Sequence, residues 1–313
     1  MKKHIISESL QVKDAHFIED CPKWKIPGTD WTLQGYSVAG ERTGFMVNPI
    51  KLFLDGGMNS YKKVDNLLLT HSHSDHSFNI PCLAMGRDSI ENKPKIYCPI
   101  EMTEPLKLLC RASQSLNDCV SLIKEEQIRY SSVKSGDNFS IKLNKKNYIK
   151  INVFDCCHTV PTVGYLISQD IKILKQQYQK LIDQGKGKEL GNLRKKGIDI
   201  YETKNKIKFA FLGDTTIDVF NKSPIILKSP IIIIECTAFG NAISEKQAYD
   251  RGHIHWEQLS PIVNKNKNII FVLIHFSRRY KEDEIIEYFL KQENKNLILW
   301  LKNKVISLIE IKK

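Results

Sequence analysis

A cluster of histidines with one aspartate is the part of the sequence whose residue types and spacing most directly indicate chemistry. It reads Thr-His-Ser-His-Ser-Asp-His over residues 70–76 and directly follows an apolar, strand-like run. In an extended loop, side chains two apart project to the same side, so His71 and His73 can reach one metal ion. Asp75 and His76 lie one turn further on and can face a second ion. Three imidazoles and a carboxylate are costly to bury unpaired, which favours a metal site.

Apolar runs that end in polar or turn residues recur along the chain, and this pattern is typical of buried strands that carry site residues at their ends. The runs are Ile50–Leu54, Asn66–Thr70, Ile149–Phe154, Lys208–Leu212, Ile231–Ile234 and Ile269–Ile274. Helices are predicted at Ile100–Ala112, Leu116–Ile123, Ile171–Gln184, Trp256–Val263 and Glu282–Gln292. This mixture predicts α/β layers with the active face at the strand termini.

The composition of the chain is that of a globular protein, with 313 residues, 42% hydrophobic residues and a formal net charge of +12. Its apolar stretches are far shorter than the roughly 18 residues that a membrane-spanning helix needs, and the N-terminus lacks the apolar core of a secretory signal. Eight cysteines without a CxxC pair are typical of a reducing compartment. We expect one domain over residues 1–313 and a cytoplasmic location, with an organelle left open.

Residues 171–208, called here the basic arm, depart from the alternation of short apolar strands and helices seen elsewhere in the chain. They hold 11 Lys and Arg against 4 Asp and Glu, a local charge of +7. The glycines of residues 185–191 are spaced GxGxxxG after a helical pattern, so they do not predict a dinucleotide loop. We expect an arm or flap over the surface. The positive charge of the whole chain has two explanations, nucleic-acid binding and a composition in which 39 of the 47 basic residues are Lys.

Three further motifs follow the histidine cluster in order. They are Cys157-His158-Thr-Val-Pro-Thr-Val-Gly-Tyr165, Leu212-Gly-Asp214-Thr215 and Ile274-His275-Phe-Ser-Arg-Arg-Tyr280. Together with HxHxDH they resemble the metallo-β-lactamase superfamily and, within it, ribonuclease Z, the zinc endonuclease that trims the 3′ trailer from precursor tRNA. The resemblance covers roughly residues 35–280, and HFSxRY is its most specific motif. It implies an αββα sandwich of two mixed sheets flanked by helices, and a homodimer.

The resemblance also implies a ligand set for two zinc ions per chain, with manganese or iron as alternative metals. One ion would take His71, His73 and His158, the other would take Asp75, His76 and His275, and Asp214 would bridge both. Imidazole and carboxylate ligands suit zinc, and no thiolate is required. Two metals can hold one hydroxide between them and stabilise both oxygens of an in-line phosphoryl displacement. The expected reaction is hydrolysis of a phosphodiester at the 3′ end of precursor tRNA.

A proton donor for the leaving 3′ oxygen is implied by Gly252-His253 and by the upstream Glu235, which match a histidine and a glutamate of the family. The chain has His-Ile-His-Trp where the family has small residues after the histidine, so His255 stays open as an alternative. The catalytic candidates are Asp75, His253 and Glu235. The candidates for RNA contact are Lys186, Lys188, Arg194, Lys195, Lys196, Arg278 and Arg279.

Two departures from the family pattern leave the substrate open. Residues 37–45 lack the Pro- and Arg-containing loop of the tRNA-trimming enzymes, and the basic arm lacks the Gly-Pro character of their tRNA-gripping arm. An alternative is a hydrolase of small phosphodiesters or cyclic nucleotides with the same fold. A third interpretation is an inactive RNA-binding homologue, although all seven ligand positions are present.

Overall fold

Two mixed β-sheets with helices on their outer faces form the fold, as seen in a computed structural model that describes residues 5–8, 15–84, 93–144 and 147–309. Within these residues the strands β1 to β16 are Ile5–Glu8, Lys23–Lys25, Thr32–Val38, Arg42–Asn48, Leu52–Leu54, Asn66–Leu68, Lys95–Pro99, Arg129–Val133, Asn138–Lys142, Tyr148–Asp155, Val163–Leu174, Tyr201–Phe211, Ile231–Glu235, Ile270–Ile274, Leu297–Trp300 and Lys304–Ser307. The helices α1 to α9 are Ser74–Ser77, Ile80–Ala84, Thr103–Asp118, Gln176–Asp183, Gly187–Lys195, Val219–Lys222, Glu245–Asp250, Trp256–Lys265 and Glu282–Leu290. Short 3-10 helices lie at Ile18–Asp20, Ile100–Met102 and Pro224–Lys228.

The strand order brings several strand ends to one edge of the sandwich. The larger sheet runs β1-β16-β15-β14-β13-β12-β11-β10-β9, and the smaller one runs from β2 to β8 in sequence order. Strands β12 to β15 are parallel in the larger sheet, as are β5 to β8 in the smaller one. Ligand sites in α/β sheets form outside the carboxyl ends of parallel strands, so the loops after these strands are the place to look for one.

The core is layered because successive strand side chains alternate between the two faces. Ile231 and Ile233 of β13 pack between the two sheets, whereas Ile232 and Ile234 pack on the outer side with α8 and α9. In the smaller sheet, Phe53 of β5 lies on the outer side with residues of α3. A hydrogen bond joins the two sheets in addition to their apolar contacts, since Trp300 Nε1 donates to the Gly35 carbonyl at 2.9 Å.

All six apolar runs contain a strand, but two of the five predicted helices are partly wrong. The prediction for Leu116–Ile123 fails because α3 ends at Asp118, where Cys119 takes a left-handed φ of 52°. The prediction for Ile171–Gln184 fails at its start because residues up to Leu174 extend β11, which pairs with β12 as far as Tyr201. The helices predicted at the other three places are confirmed as parts of α3, α8 and α9.

The basic arm is a long β-hairpin with a helical tip. Its two strands are the outer parts of β11 and β12, and α4 and α5 lie between them. The tip is mostly exposed, with Leu190 of α5 as a buried residue. No helix in the described part of the chain has the length and apolarity that a membrane span requires. All eight cysteines are described, and each is a free thiol.

Candidate metal centre

The seven predicted metal ligands converge at the carboxyl ends of the parallel strands, in adjacent groups. His71, His73, His158 and Asp214 form one group, and Asp75, His76 and His275 form another. Within each group, one ligand atom from each residue lies within 4.8 Å of the others. A third, overlapping group joins Asp214 and His275 to His253. The loops after β6, β10, β12 and β14 therefore bring together residues that lie up to two hundred positions apart.

The two carboxylate oxygens of Asp214 face different groups. Asp214 Oδ2 lies 3.8 Å from His71 Nε2 and 3.9 Å from His158 Nε2. Asp214 Oδ1 lies 3.4 Å from His76 Nε2 and 3.5 Å from His275 Nδ1. A carboxylate in this position has one oxygen available to each of two neighbouring cations.

The residues present fit a metal ion, because His71 directs a buried nitrogen without a hydrogen-bond partner into the site. Its Nε2 atom is fully buried, has no hydrogen-bond partner and is directed towards Asp214. Burial, with the neighbouring imidazoles, holds the pKa of His71 well below its usual value, so this imidazole is neutral and its lone pair is free to bind a cation. A buried nitrogen without a partner is costly, and a metal ion is the partner that this donor set suits best.

Asp55 and Thr70 orient ligands of both groups. Thr70 Oγ1 donates to Asp55 and accepts from His71 Nδ1, which lies at 3.0 Å. His76 Nδ1 donates to Asp55 Oδ2 at 2.8 Å. In both histidines, Nδ1 is occupied and Nε2 points into the centre, which is the way that supporting carboxylates fix metal-binding imidazoles. The sequence analysis did not assign Asp55, although Asp-Gly-Gly after a strand was a visible signal.

Two more bonds fix His158 and His275. His158 Nδ1 lies 2.8 Å from the Gly252 carbonyl, and a Cβ on Gly252 would come within 2.5 Å of the same nitrogen. Gly252 also has a φ of 78°, which glycine adopts without strain. The space beside His158 and the backbone conformation therefore both require a glycine before His253. His275 has a positive φ of 62°, and Thr237 Oγ1 lies 3.1 Å from its Nδ1. A strained backbone at a non-glycine residue is typical of functional positions.

The charges in the centre are strongly coupled. Burial opposes ionisation of Asp214, but the imidazoles of His275 and His76 hold the pKa of this carboxyl well below its usual value. Burial also opposes protonation of His76, yet Asp214 and Asp55 raise the pKa of this imidazole to about 10. Metal binding at His76 therefore has to displace a proton, as metal ligands generally must.

His253 faces the centre, whereas His255 does not. His253 Nδ1 lies 2.9 Å from Glu235 Oε1 and 3.9 Å from Asp214 Oδ2. Burial lowers the pKa of His253, but Glu235 and Asp214 outweigh it and raise this pKa to about 9. His255 is buried and begins α8, where its Nδ1 accepts from the Glu257 amide and its Nε2 donates to the Gly240 carbonyl. Both nitrogens of His255 are thus used in holding the fold.

The sequence has relatives among curated proteins. No family model matches the chain. It is 27% identical over 270 residues to the chloroplastic tRNase Z TRZ2 of Arabidopsis thaliana, covering 85% of this chain and 73% of the relative. It is 28% identical over 260 residues to tRNase Z TRZ1 of the same plant, covering 82% and 88%. It is 25% identical over 250 residues to ribonuclease Z of Clostridium tetani, covering 74% and 77%.

The fold is shared with solved structures. The metallo-β-lactamase fold protein YhfI from Bacillus subtilis has a TM-score of 0.50 and 12% identity, covering 86% of this chain and 95% of that one. The chain is similar to tRNase Z and ribonuclease Z proteins and has the metallo-β-lactamase fold. The expected αββα architecture is confirmed.

The residues predicted to contact RNA lie in two places on this protein. Lys186, Lys188, Arg194, Lys195 and Lys196 lie within or beside α5, exposed at the tip of the basic arm. Arg278 and Arg279 are exposed and line a cavity of about 450 Å³ that also contains His253. The same cavity is lined by Arg251, which the sequence analysis did not single out.

A second cavity, of about 590 Å³, is lined by His158. Its wall includes Cys157, Lys134 and Tyr249, whose hydroxyl donates to Asp218 Oδ2 at 2.6 Å. Trp256, which follows His255, lies in the core against Phe289 and cannot stack on a base. Two cavities thus adjoin the centre, one lined by His158 and the other by His253 and three arginines.

Proposed function

We propose that this protein is a zinc-dependent endoribonuclease that removes the 3′ trailer of precursor tRNA. The observation that carries the proposal is that the Glu235–His253 pair lies directly against both ligand groups. The names of the relatives support the substrate, since they are called tRNase Z or ribonuclease Z over most of this chain. Formation of a homodimer stays a prediction.

The ligand groups support two zinc ions per chain. We assign His71, His73 and His158 to the first and Asp75, His76 and His275 to the second, with Asp214 shared between them. Zinc held there would activate a water molecule and offset the negative charge of the phosphate. The supporting bonds from Asp55 and Thr237 hold these imidazoles in place before any substrate arrives.

His253 is the proton donor in this proposal. Glu235 Oε1 accepts from His253 Nδ1, which leaves Nε2 as the nitrogen that can deliver a proton to the leaving 3′ oxygen. The Glu235 charge keeps the imidazole protonated near neutral pH, since its pKa rises to about 9. Glu235 is itself held by the Thr215 amide at 3.0 Å and the Thr237 hydroxyl at 2.6 Å. A carboxylate fixed in this way cannot turn away from the imidazole.

The remaining part of the proposal concerns substrate binding. Arg251, Arg278 and Arg279 surround the cavity beside His253 and would attract phosphates near the scissile bond. The exposed lysines and Arg194 of the basic arm would hold the backbone further away. No hydrogen bond or ion pair of the described residues joins either group to the candidate metal ligands, so they would affect affinity more than the chemical step.

Cleavage-site mapping on a 5′-labelled precursor tRNA with zinc-loaded protein tests this function. We expect one cut that leaves a 3′ hydroxyl on the tRNA and a 5′ phosphate on the trailer. The Asp214→Ala variant is the control for contaminating nucleases. Hydrolysis of a chromogenic phosphodiester without tRNA cleavage would point to small phosphodiesters, and no turnover of either substrate would point to an inactive RNA-binding homologue.

A further inference from the structure

The two cavities that adjoin the metal centre differ in charge. The one lined by His158, called here the acidic cavity, has four acids and two lysines among its described lining residues, namely Glu101, Asp155, Asp218, Asp250, Lys134 and Lys222. Lys222 is paired with Asp155 at 3.5 Å. The one lined by His253, called here the arginine cavity, has three arginines and, among its described lining residues, no acid. A phosphate group is therefore favoured in the arginine cavity, and an uncharged group such as a nucleobase in the acidic cavity.

An exposed aromatic ring lies in the wall of the acidic cavity. Tyr249 is 44% exposed, and its hydroxyl donates to Asp218 Oδ2 at 2.6 Å. An Asp218→Asn change keeps an oxygen that can accept this bond, so the position of the ring does not need the charge of Asp218. A ring that is held at its hydroxyl end and open to solvent offers a face on which a base can stack. The cavity volume, about 590 Å³, is typical of sites for small organic groups.

The segment of residues 248–253 lines both cavities. Arg251 and His253 line the arginine cavity, whereas Tyr249 and Gly252 line the acidic cavity. The Gly252 amide donates to the Tyr249 carbonyl at 2.8 Å, and the Gly252 carbonyl accepts from His158 Nδ1 at 2.8 Å. These hydrogen bonds link Tyr249 to a candidate metal ligand. A base on the Tyr249 ring would therefore belong to a nucleotide whose phosphate is beside the metal centre.

The proposed reaction indicates which nucleoside the acidic cavity would receive. The leaving 3′ oxygen belongs to the last nucleotide of the tRNA and must face His253 to take its proton. His253 lines the arginine cavity. The nucleoside on the other side of the scissile phosphate, which is the first of the trailer, therefore has the acidic cavity open to it. Hydrolysis leaves this nucleoside with a 5′ phosphate, so a nucleoside 5′-monophosphate is the ligand to test.

We propose that the acidic cavity binds the first nucleoside of the trailer, with its base stacked on Tyr249. The proposal rests on the proposed function for the identity of the substrate as a precursor tRNA. Every base has a π face, so stacking on Tyr249 would hold the trailer without selecting its first base. The phosphate of the same nucleotide would stay at the metal centre, outside the acidic cavity.

The test measures how much a base adds to the affinity of a small phosphate ligand. Isothermal titration calorimetry on the zinc-loaded protein compares adenosine 5′-monophosphate with ribose 5-phosphate, which lacks the base. Tyr249→Leu removes the aromatic face, and Tyr249→Phe keeps it. Tyr148→Leu is a matched control, since Tyr148 is also 44% exposed and lies on β10 outside the lining of both cavities. Thermal unfolding checks that all variants are folded.

We expect the wild type, Tyr148→Leu and Tyr249→Phe to bind adenosine 5′-monophosphate at least about fivefold more tightly than ribose 5-phosphate, the usual effect of stacking one base. Tyr249→Leu should lose most of this preference, while its affinity for ribose 5-phosphate stays unchanged. A folded Tyr249→Leu variant that keeps the full preference would overturn the proposal. An equal loss in Tyr249→Phe would also overturn it, because the aromatic face is still present in that variant.

The same measurement separates this proposal from the proposed function, because it requires no cleavage of RNA. A preference that depends on Tyr249, in a protein that cleaves no precursor tRNA, would refute the proposed function and leave the base site standing. Correct cleavage of precursor tRNA by a wild-type protein that binds the two small ligands equally would overturn the base site alone.

Discussion

The metal centre and the basic arm are built in opposite ways. The centre takes its candidate ligands from loops spread between residues 71 and 275, and four of the five histidines among them are held by hydrogen bonds from supporting groups. The basic arm is one continuous hairpin, and among its described residues α4 buries none and α5 buries Leu190 alone. Hydrolysis at phosphorus requires fixed positions, whereas attraction of a phosphate backbone requires mainly charge.

This difference predicts that chemistry and substrate binding are separable in this molecule. Changes in the centre should lower turnover of any phosphodiester, including one too small to reach the arm. Changes in the arm should affect only a long substrate. Each prediction below compares precursor tRNA with a small chromogenic phosphodiester.

Replacement of Asp214 should have the largest effect. Asp214→Ala removes the carboxylate that faces both ligand groups, so turnover of both substrates should fall by about 10³-fold or more, since metals contribute several kcal/mol to such reactions. Steady-state kinetics at saturating zinc measure the loss. Asp218→Asn is a matched control because Asp218 lies nearby and belongs to neither group. Full activity of Asp214→Ala on the small substrate would contradict the account.

Replacement of His253 should lower kcat for the two substrates to different extents, because their leaving groups differ in their need for a proton. His253→Ala should lower kcat for precursor tRNA by about 10²–10⁴-fold, the usual contribution of a general acid. A nitrophenolate leaves without a proton, so the small substrate should lose far less. His255→Ala should mainly lower the melting temperature, because His255 caps α8. A greater loss of kcat in His255→Ala than in His253→Ala would reverse the assignment.

Replacement of Asp55 should weaken the centre through its supporting bonds. Asp55→Asn keeps one acceptor oxygen but cannot serve both Thr70 and His76, so zinc affinity should fall by about 10–100-fold. Competition with a chromogenic chelator measures this affinity. Asp30→Asn, at an exposed position, should leave it unchanged. Equal zinc affinity in the two variants would show that Asp55 has only a packing role.

Neutralising the tip of the basic arm should give the smallest effect on chemistry. The triple variant Arg194→Gln, Lys195→Gln and Lys196→Gln should raise KM for precursor tRNA about tenfold and reduce its salt dependence, because phosphate contacts are lost. Its kinetics with the small substrate should not change. Lys265→Gln, Lys267→Gln and Lys291→Gln form a control of equal charge. Equal losses on both substrates would mean that the arm supports the centre and not the RNA.

Local sequence patterns were enough to predict most of the centre. HxHxDH after an apolar strand predicted that His71 and His73 share one group while Asp75 and His76 lie in the next. The structure has this grouping, and the role of these residues as metal ligands stays a prediction. The apolar runs marked the strands because a buried parallel strand must be apolar on both faces. Ordered motifs then supplied the distant members, His158, Asp214 and His275.

Long-range contacts were the part that sequence patterns could not supply. Residues 171–174 have helix-like composition, but pairing with Tyr201 and its neighbours makes them strand. The choice between His253 and His255 depended on which one meets Glu235 across eighteen residues. Asp55 was missed because its partners, Thr70 and His76, are neighbours only after folding.

The metal content of the purified wild-type protein tests the central claim most directly. Inductively coupled plasma mass spectrometry, combined with zinc titration of the metal-depleted protein, should give two zinc ions per chain. The Asp214→Ala variant should give fewer under the same conditions. Wild-type protein that holds well below two zinc ions per chain, and does not recover them on zinc addition, would contradict a dinuclear centre.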